Sequence, residues 1–204
     1  MSTQKAAKIF VSSILAGIAI SIGCTAFLFT EKAIYFPIGL FIVCFFGLYL
    51  FTGKVPYAKD KQDLPMLGIT FVGNMIGAIL MGIVIRCAKP ALIEKAAGLC
   101  NAKLGEGYAL IPLAILCNVL IFVAVDVYKN TNADPIFRFA GLWMATTVFV
   151  ICGFEHCVAN AFYFALAGMT GSGPVAYILL NMVFNAVGGL LAFYAFSYAV
   201  KAKK

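Results

Sequence analysis

Apolar residues run along this chain in blocks far longer than the buried face of a soluble helix requires, with short polar stretches between them. The first block, Ile9 to Phe29, ends at Thr30-Glu31-Lys32, and the second, Ala33 to Gly53, closes in the turn-rich Gly53-Lys54-Val55-Pro56. A lysine-rich loop with Lys54, Lys59, Asp60, Lys61 and Asp63 separates it from the third block, Leu64 to Ile85, which stops at Arg86. A mixed segment from Cys87 to Glu106 precedes the fourth block, Gly107 to Val125, and Asp126, Lys129, Asp134, Pro135 and Arg138 form the next polar loop. From Phe139 to Val200 only Glu155 and His156 could carry charge. A helix needs about 20 predominantly apolar residues to cross a bilayer. The last block holds 62 residues and must turn back, for which Gly168-Met169-Thr170-Gly171-Ser172-Gly173-Pro174 is the obvious place. The pattern predicts an all-α integral membrane protein with six transmembrane helices, a single membrane domain over 1–204.

Composition agrees: 63% of the 204 residues are hydrophobic and 11% charged, where soluble domains run near half and a quarter. The run from Ile9 is a full-length span rather than the short core of a secretory signal. The net charge of +7 comes from lysines between spans and reflects topology, so nucleic acid is not an expected partner. With both ends on one side, ten basic residues share that side: Lys5, Lys8, Lys54, Lys59, Lys61, Lys129, Arg138, Lys201, Lys203 and Lys204. Five lie opposite: Lys32, Arg86, Lys89, Lys95 and Lys103. The positive-inside tendency then puts both termini in the cytoplasm. The seven cysteines show no metal-ligand spacing and read as small packing residues. No disulfide, metal or cofactor is expected.

Two spans look interrupted. The second ends in Gly47-Leu48-Tyr49-Leu50-Phe51-Thr52-Gly53 with Pro56 close behind, and the fifth carries Cys152-Gly153-Phe154-Glu155-His156 near its middle. Each is the central span of a triplet. Broken helices at corresponding positions of two halves point to an inverted repeat with a substrate path between them, here about 9–86 and about 107–200.

Glu155 and His156 are the ionisable side chains placed deep in a span. A carboxylate centred in lipid costs at least ~2.5 kcal/mol, so both must face protein or water. His156 sits at a helix break and titrates near physiological pH, which suits a pore histidine that donates a proton or hydrogen bond to a passing anion; the alternative is a neutral imidazole bonded in the core. On an uninterrupted helix Phe149, His156 and Asn160 share a side, with Glu155 roughly 100° away. Glu155 then reads as a structural partner for buried backbone or a basic residue, with Asn160 as support. Asn118 could bond a substrate or bond across helices. By periodicity alone Phe36, Leu40, Leu50 and Phe149 are packing residues.

The two breaks also carry a resemblance. Gly39-Leu40 followed by Gly47 to Gly53 is similar to the second-helix signature of the formate/nitrite transporter family, and Gly153-Phe154-Glu155-His156-Cys157-Val158-Ala159-Asn160 resembles its GFEHSxAN signature almost letter for letter. Further similarities run the length of the chain: Ala16-Gly17, Gly73 to Ala78, Cys117-Asn118 and Asn185 to Gly189. The resemblance implies an aquaporin-like fold in a homopentamer within a lipid bilayer, a prokaryotic inner or plasma membrane. Each subunit would hold a pore for a small monovalent anion such as formate, nitrite, lactate or hydrosulfide. It implies Thr52 as the pore threonine, His156 as the central histidine, Phe36, Leu40, Leu50 and Phe149 as constrictions, Asn118 as a pore-side asparagine and Lys103 as a vestibule lysine. Three positions depart from the pattern. Tyr49 stands where an acid is usual, Lys103 is one residue out of register with Asn118, and Arg138 replaces a lysine.

The expected mechanism is a narrow path with one apolar constriction at Leu40, Leu50 and Phe36, another at Phe149, and Thr52 with His156 between them. A bare anion loses hydration at such rings, whereas its protonated acid passes. Two other classes stand beside this reading. A membrane enzyme using His156 and Glu155 would need polar groups converging from other spans, and a single histidine with no buried aspartate speaks against catalysis. A neutral-solute pore for water or ammonia would pass its cargo without anion-dependent current.

Overall fold

In the computed structural model, which describes residues 2–58 and 60–201, nine α-helices and short 3₁₀ turns account for the regular structure. The α-helices are α1 (Thr3–Thr30), α2 (Ile38–Phe45), α3 (Phe51–Lys54), α4 (Leu64–Ala88), α5 (Leu92–Leu104), α6 (Leu110–Asn130), α7 (Pro135–Ile151), α8 (Cys157–Ala167) and α9 (Ser172–Lys201). Lys59, Lys203 and Lys204, which the charge count places with the termini, lie outside the described residues, as does the side chain of Lys201.

Among the described residues four helical stretches are long and apolar enough to cross a membrane: Thr3–Thr30, Lys61–Ala88, Gly107–Asn130 and Ser172–Val200. Their ends follow local rules. Ser2 caps α1 by accepting the Lys5 N–H at 3.3 Å, which carries the helix outward past its apolar block. At the far end Glu31 turns left-handed with φ 56° and donates its N–H to Phe27 O. Pro135 opens α7 in the first turn, where a missing N–H costs nothing. Gly168, at φ 73°, closes α8, so the turn expected at 168–174 is the connection between α8 and α9.

α1 packs most extensively on α4, and α6 on α9. Glycines let these backbones close on each other: a Cβ on Gly77 would meet Ile14 O at 2.1 Å, and one on Gly188 would meet Ile115 O at 2.1 Å. α8, buried along nearly its whole length, sits between α4 and α5. The outward sides of α4 and α9 are apolar, with Val72, Ile83, Val84, Val175, Leu180 and Leu191 all more than two-fifths exposed. Such surface suits lipid or another membrane chain rather than water.

The segment Cys87 to Glu106, a mixed polar stretch in the sequence, contains the helix α5. Its buried residues Leu92, Ala96, Cys100 and Lys103 recur at intervals of four, four and three, one helical face laid on α8. That short amphipathic period carries too few apolar residues to register as a span.

Candidate functional site

The two interrupted regions are built alike. After α2 the chain leaves its helix through Gly47 at φ 66°, with Leu48 N–H donating to Val43 O at 2.9 Å. After α7 it leaves through Gly153 at φ 65°, with Phe154 N–H donating to Phe149 O at 3.0 Å. Both are left-handed helix ends closed by a bond spanning six residues, a conformation glycine adopts without a Cβ penalty. The extended segments that follow, 48–50 and 154–156, run inward to the buried Leu50, Glu155 and His156, where stray backbone groups must find partners.

One asparagine supplies those partners on each side. Asn74 of α4 accepts the Phe51 N–H at 2.8 Å and donates to Tyr49 O at 2.9 Å and Ser13 O at 2.8 Å. Asn185 of α9 accepts the Cys157 N–H at 3.0 Å and donates to Glu155 O and Ala114 O, both at 2.8 Å. Each amide thus ties the start of a short helix (α3 or α8), the residue two before it, and the long helix opposite. Both asparagines are fully buried. The sequence marks them only as part of glycine-bearing similarities; their role appears once the broken segments are seen beside them.

Thr52 and His156 meet. Thr52 Oγ1 lies 3.0 Å from His156 Nε2, across 104 residues of sequence, and both side chains are buried. The other ring nitrogen, Nδ1, accepts the Ala159 N–H at 3.3 Å and so caps α8. A nitrogen that accepts an N–H carries no proton, so the neutral imidazole holds its proton on Nε2 and directs it at Thr52 Oγ1. The Thr52 hydroxyl hydrogen is then left for another acceptor.

Two cavities lie near this contact, one lined by His156 and the other by Leu50 and Gly53, chain neighbours of Thr52. The larger, about 80 Å³, is lined by Phe36, Lys103, Phe149, His156 and Asn160 among others. The smaller, about 10 Å³, is lined by Leu40, Leu50, Gly53, Lys54 and Lys129 among others, room for about one water. Phe36 therefore belongs with Phe149 rather than with Leu40 and Leu50: the two rings meet edge to face at 5.2 Å, because the 3₁₀ turn Ala33–Tyr35 leading into Phe36 packs on α7. The Phe149 ring in turn stacks on His156 with centroids 6.1 Å apart.

Glu155 is 1% exposed, and its carboxylate meets a cation. Lys103 Nζ forms an ion pair with Glu155 Oε1, and Asn160 Nδ2 donates to Oε2 at 2.7 Å. The pair sits at the wall of the larger cavity, through Lys103 and Asn160. Asn118 is not brought to either cavity lining. Its Nδ2 donates to Asn185 O at 2.7 Å, which makes it part of the α6–α9 contact. At the departures from the expected pattern, the Lys54 ammonium stands over the Tyr49 ring at 4.4 Å, and the Arg138 guanidinium is held by Tyr128 O.

The formate/nitrite transporter family profile matches residues 2–199. The chain belongs to the formate/nitrite transporter family. It is 29% identical over 184 residues to a formate channel of Bacillus thuringiensis, covering 80% of this chain and 69% of that one. It is 28% identical to a probable formate transporter of Methanothermobacter thermautotrophicus (76% and 69% covered) and 24% identical to the nitrite transporter NirC of Escherichia coli (74% and 60% covered). Among solved structures, a pentameric formate channel with formate bound superposes with a TM-score of 0.86 at 21% identity, covering 100% of both chains. An FNT family ion channel gives 0.85 at 22% identity, covering 97% and 96%. The fold is that of these channels, and the chain is an integral membrane protein of a family of transporters and channels, which are not enzymes.

Proposed function

We propose that this protein passes a small monovalent anion of a weak acid, of the formate, nitrite, lactate or hydrosulfide type, through a pore within each subunit. In this reading α2 with α3, and α7 with α8, each form one interrupted span. That gives six spans in two inverted repeats, about 9–86 and about 107–200, with both termini in the cytoplasm of a prokaryotic cell. The matched asparagine clamps and the paired Gly77–Ile14 and Gly188–Ile115 contacts support the repeat. The subunits assemble as a homopentamer, as those of the pentameric formate channel of the same fold do.

The observation that carries the reading is the Thr52–His156 contact, which brings the two interrupted regions together: His156 lines the larger cavity, and Leu50 and Gly53, neighbours of Thr52 in the chain, line the smaller. An anion entering the larger cavity meets the Lys103 ammonium, then the apolar rings of Phe36 and Phe149, where shedding water is costly for a charged species. Between these rings and Leu40 with Leu50 it finds the Thr52 hydroxyl, whose hydrogen is free to bond it because the neutral imidazole donates its Nε2 proton to Thr52 Oγ1. A proton taken up from water on the entry side, not from the neutral imidazole, turns the anion so held into a neutral acid that crosses apolar walls far more easily. Lys103 is a capture residue, Glu155 and Asn160 hold it, and Asn118 supports the helix contact.

The test replaces His156 with Asn. Asparagine is a good N-cap, so α8 keeps its cap and the protein folds, while the imidazole N–H that orients the Thr52 hydroxyl is gone. Proteoliposomes with His156→Asn should lose most formate and nitrite flux and its pH dependence. Unchanged rate and pH profile would refute the role given to the histidine.

A further inference from the structure

Lys103 supplies the ammonium at the wall of the larger cavity, and Glu155 takes up its charge. A second carboxylate stands beside this pair. Glu106 lies in the turn between α5 and α6, three residues past Lys103, and its N–H donates to Lys103 O at 3.1 Å. Its side chain is half-buried and faces charged or titratable groups from three elements. From α9, the Tyr177 hydroxyl donates to Glu106 Oε2 at 2.7 Å. From α5 comes Lys103, and from the connection between α7 and α8 comes the Glu155 carboxyl. Two carboxylates then share one ammonium. The cluster carries a net charge of about −1 when both are ionised and about zero when Glu106 is protonated.

We propose that Glu106, held by Tyr177, is a positioning residue of the anion entrance, whose protonation sets how much of the Lys103 charge an arriving anion meets. The proposal rests on the anion-passage reading above. Burial pushes the Glu106 carboxyl above the usual range, and the Glu155 carboxylate adds to this, while the Tyr177 hydrogen bond and Lys103 pull it down. As the pH on this side rises, Glu106 gives its proton to water and a second negative charge opposes the anion. As it falls, Glu106 becomes neutral and Lys103 is offset by Glu155 alone. The effect acts on capture, before the anion reaches His156.

The experiment measures tracer formate exchange in proteoliposomes with equal pH on both sides, from about pH 5 to about pH 8, so that no proton gradient drives the flux. In the wild type the half-saturating formate concentration should rise several-fold across this range, beyond the change due to formic acid itself. Glu106→Gln fixes the neutral form and should keep it low throughout. Tyr177→Phe removes a hydrogen bond that favours the carboxylate, so Glu106 keeps its proton longer and the rise should move to higher pH. Wild-type pH dependence in Glu106→Gln, or no shift in Tyr177→Phe, overturns the proposal while leaving anion passage standing. The unfolding midpoints of wild type and Glu106→Gln give a readout without transport. A carboxyl raised in the folded state stabilises below its unfolded value, and that stability is lost as pH rises through the folded value. The wild type should therefore lose ground to Glu106→Gln as pH rises, and a pH-independent difference overturns the proposal. Wild-type liposomes without formate flux at any pH overturn the anion-passage reading, and the role of Glu106 with it.

Discussion

At the scale of single residues, the site uses each polar group more than once. His156 caps α8 with one nitrogen and faces Thr52 with the other, so a structural duty fixes the tautomer that the proposed chemistry needs. Glu155 holds both Lys103 and Asn160, and its backbone carbonyl receives Asn185. Breaking a buried pair strands a charge and costs ~3–5 kcal/mol, whereas removing both charges is often close to neutral. Glu155→Gln alone should therefore lower stability in detergent, by less than that amount because the Glu106 carboxylate still faces the ammonium, as read from thermal or denaturant unfolding. Glu155→Gln with Lys103→Met should recover most of it, since glutamine can still accept from Asn160. Formate flux in the double variant should stay low, because the capturing ammonium is absent. Recovery of flux together with stability would show that Lys103 serves the fold alone.

At the scale of elements, short helices are held in place by long ones. α3 has four residues, too few to stand alone, and Asn74 fixes its first N–H. Asn74→Leu or Asn185→Leu removes three hydrogen bonds and leaves buried backbone groups unpaired, each costing ~1–3 kcal/mol. Both variants should unfold several kcal/mol more easily by the same measure, and nearly equal losses would mark the clamps as equivalent. Glycine gives a second contrast within α4. Gly77 has no room for a Cβ against Ile14, while Gly68 has nothing within 4 Å. Gly68→Ala should raise stability by about 0.4–1 kcal/mol, whereas Gly77→Ala should lower it by forcing α1 and α4 apart. Unfolding midpoints of the two variants check the sign of each.

At the scale of the whole molecule, the cavities and the Thr52–His156 contact lie within a single chain. A homopentamer then carries five independent paths. Co-reconstituting wild type with His156→Asn subunits should lower flux in direct proportion to the variant fraction, while native mass spectrometry reports five copies. A fall steeper than linear would mean that subunits share or gate one another's path.

The sequence by itself determined the membrane class and the long apolar helices, and it marked the stretches in which Gly47 and Gly153 turn left-handed. Burial in lipid demands long unbroken apolar runs, and glycine with polar residues inside such a run marks a stop; both are local signals. Only the tertiary structure decided which residues are neighbours. Thr52 meets His156 across 104 residues, and Lys103 finds Glu155 from a helix whose short amphipathic period the sequence left as a mixed segment. Phe36 joined Phe149, and Asn118 turned to Asn185, because periodicity says which side of a helix is buried and not what buries it. The asparagine clamps were unreadable for the same reason. A buried amide is chosen by the stray backbone groups around it, and those exist only once two distant breaks have been folded against the long helices.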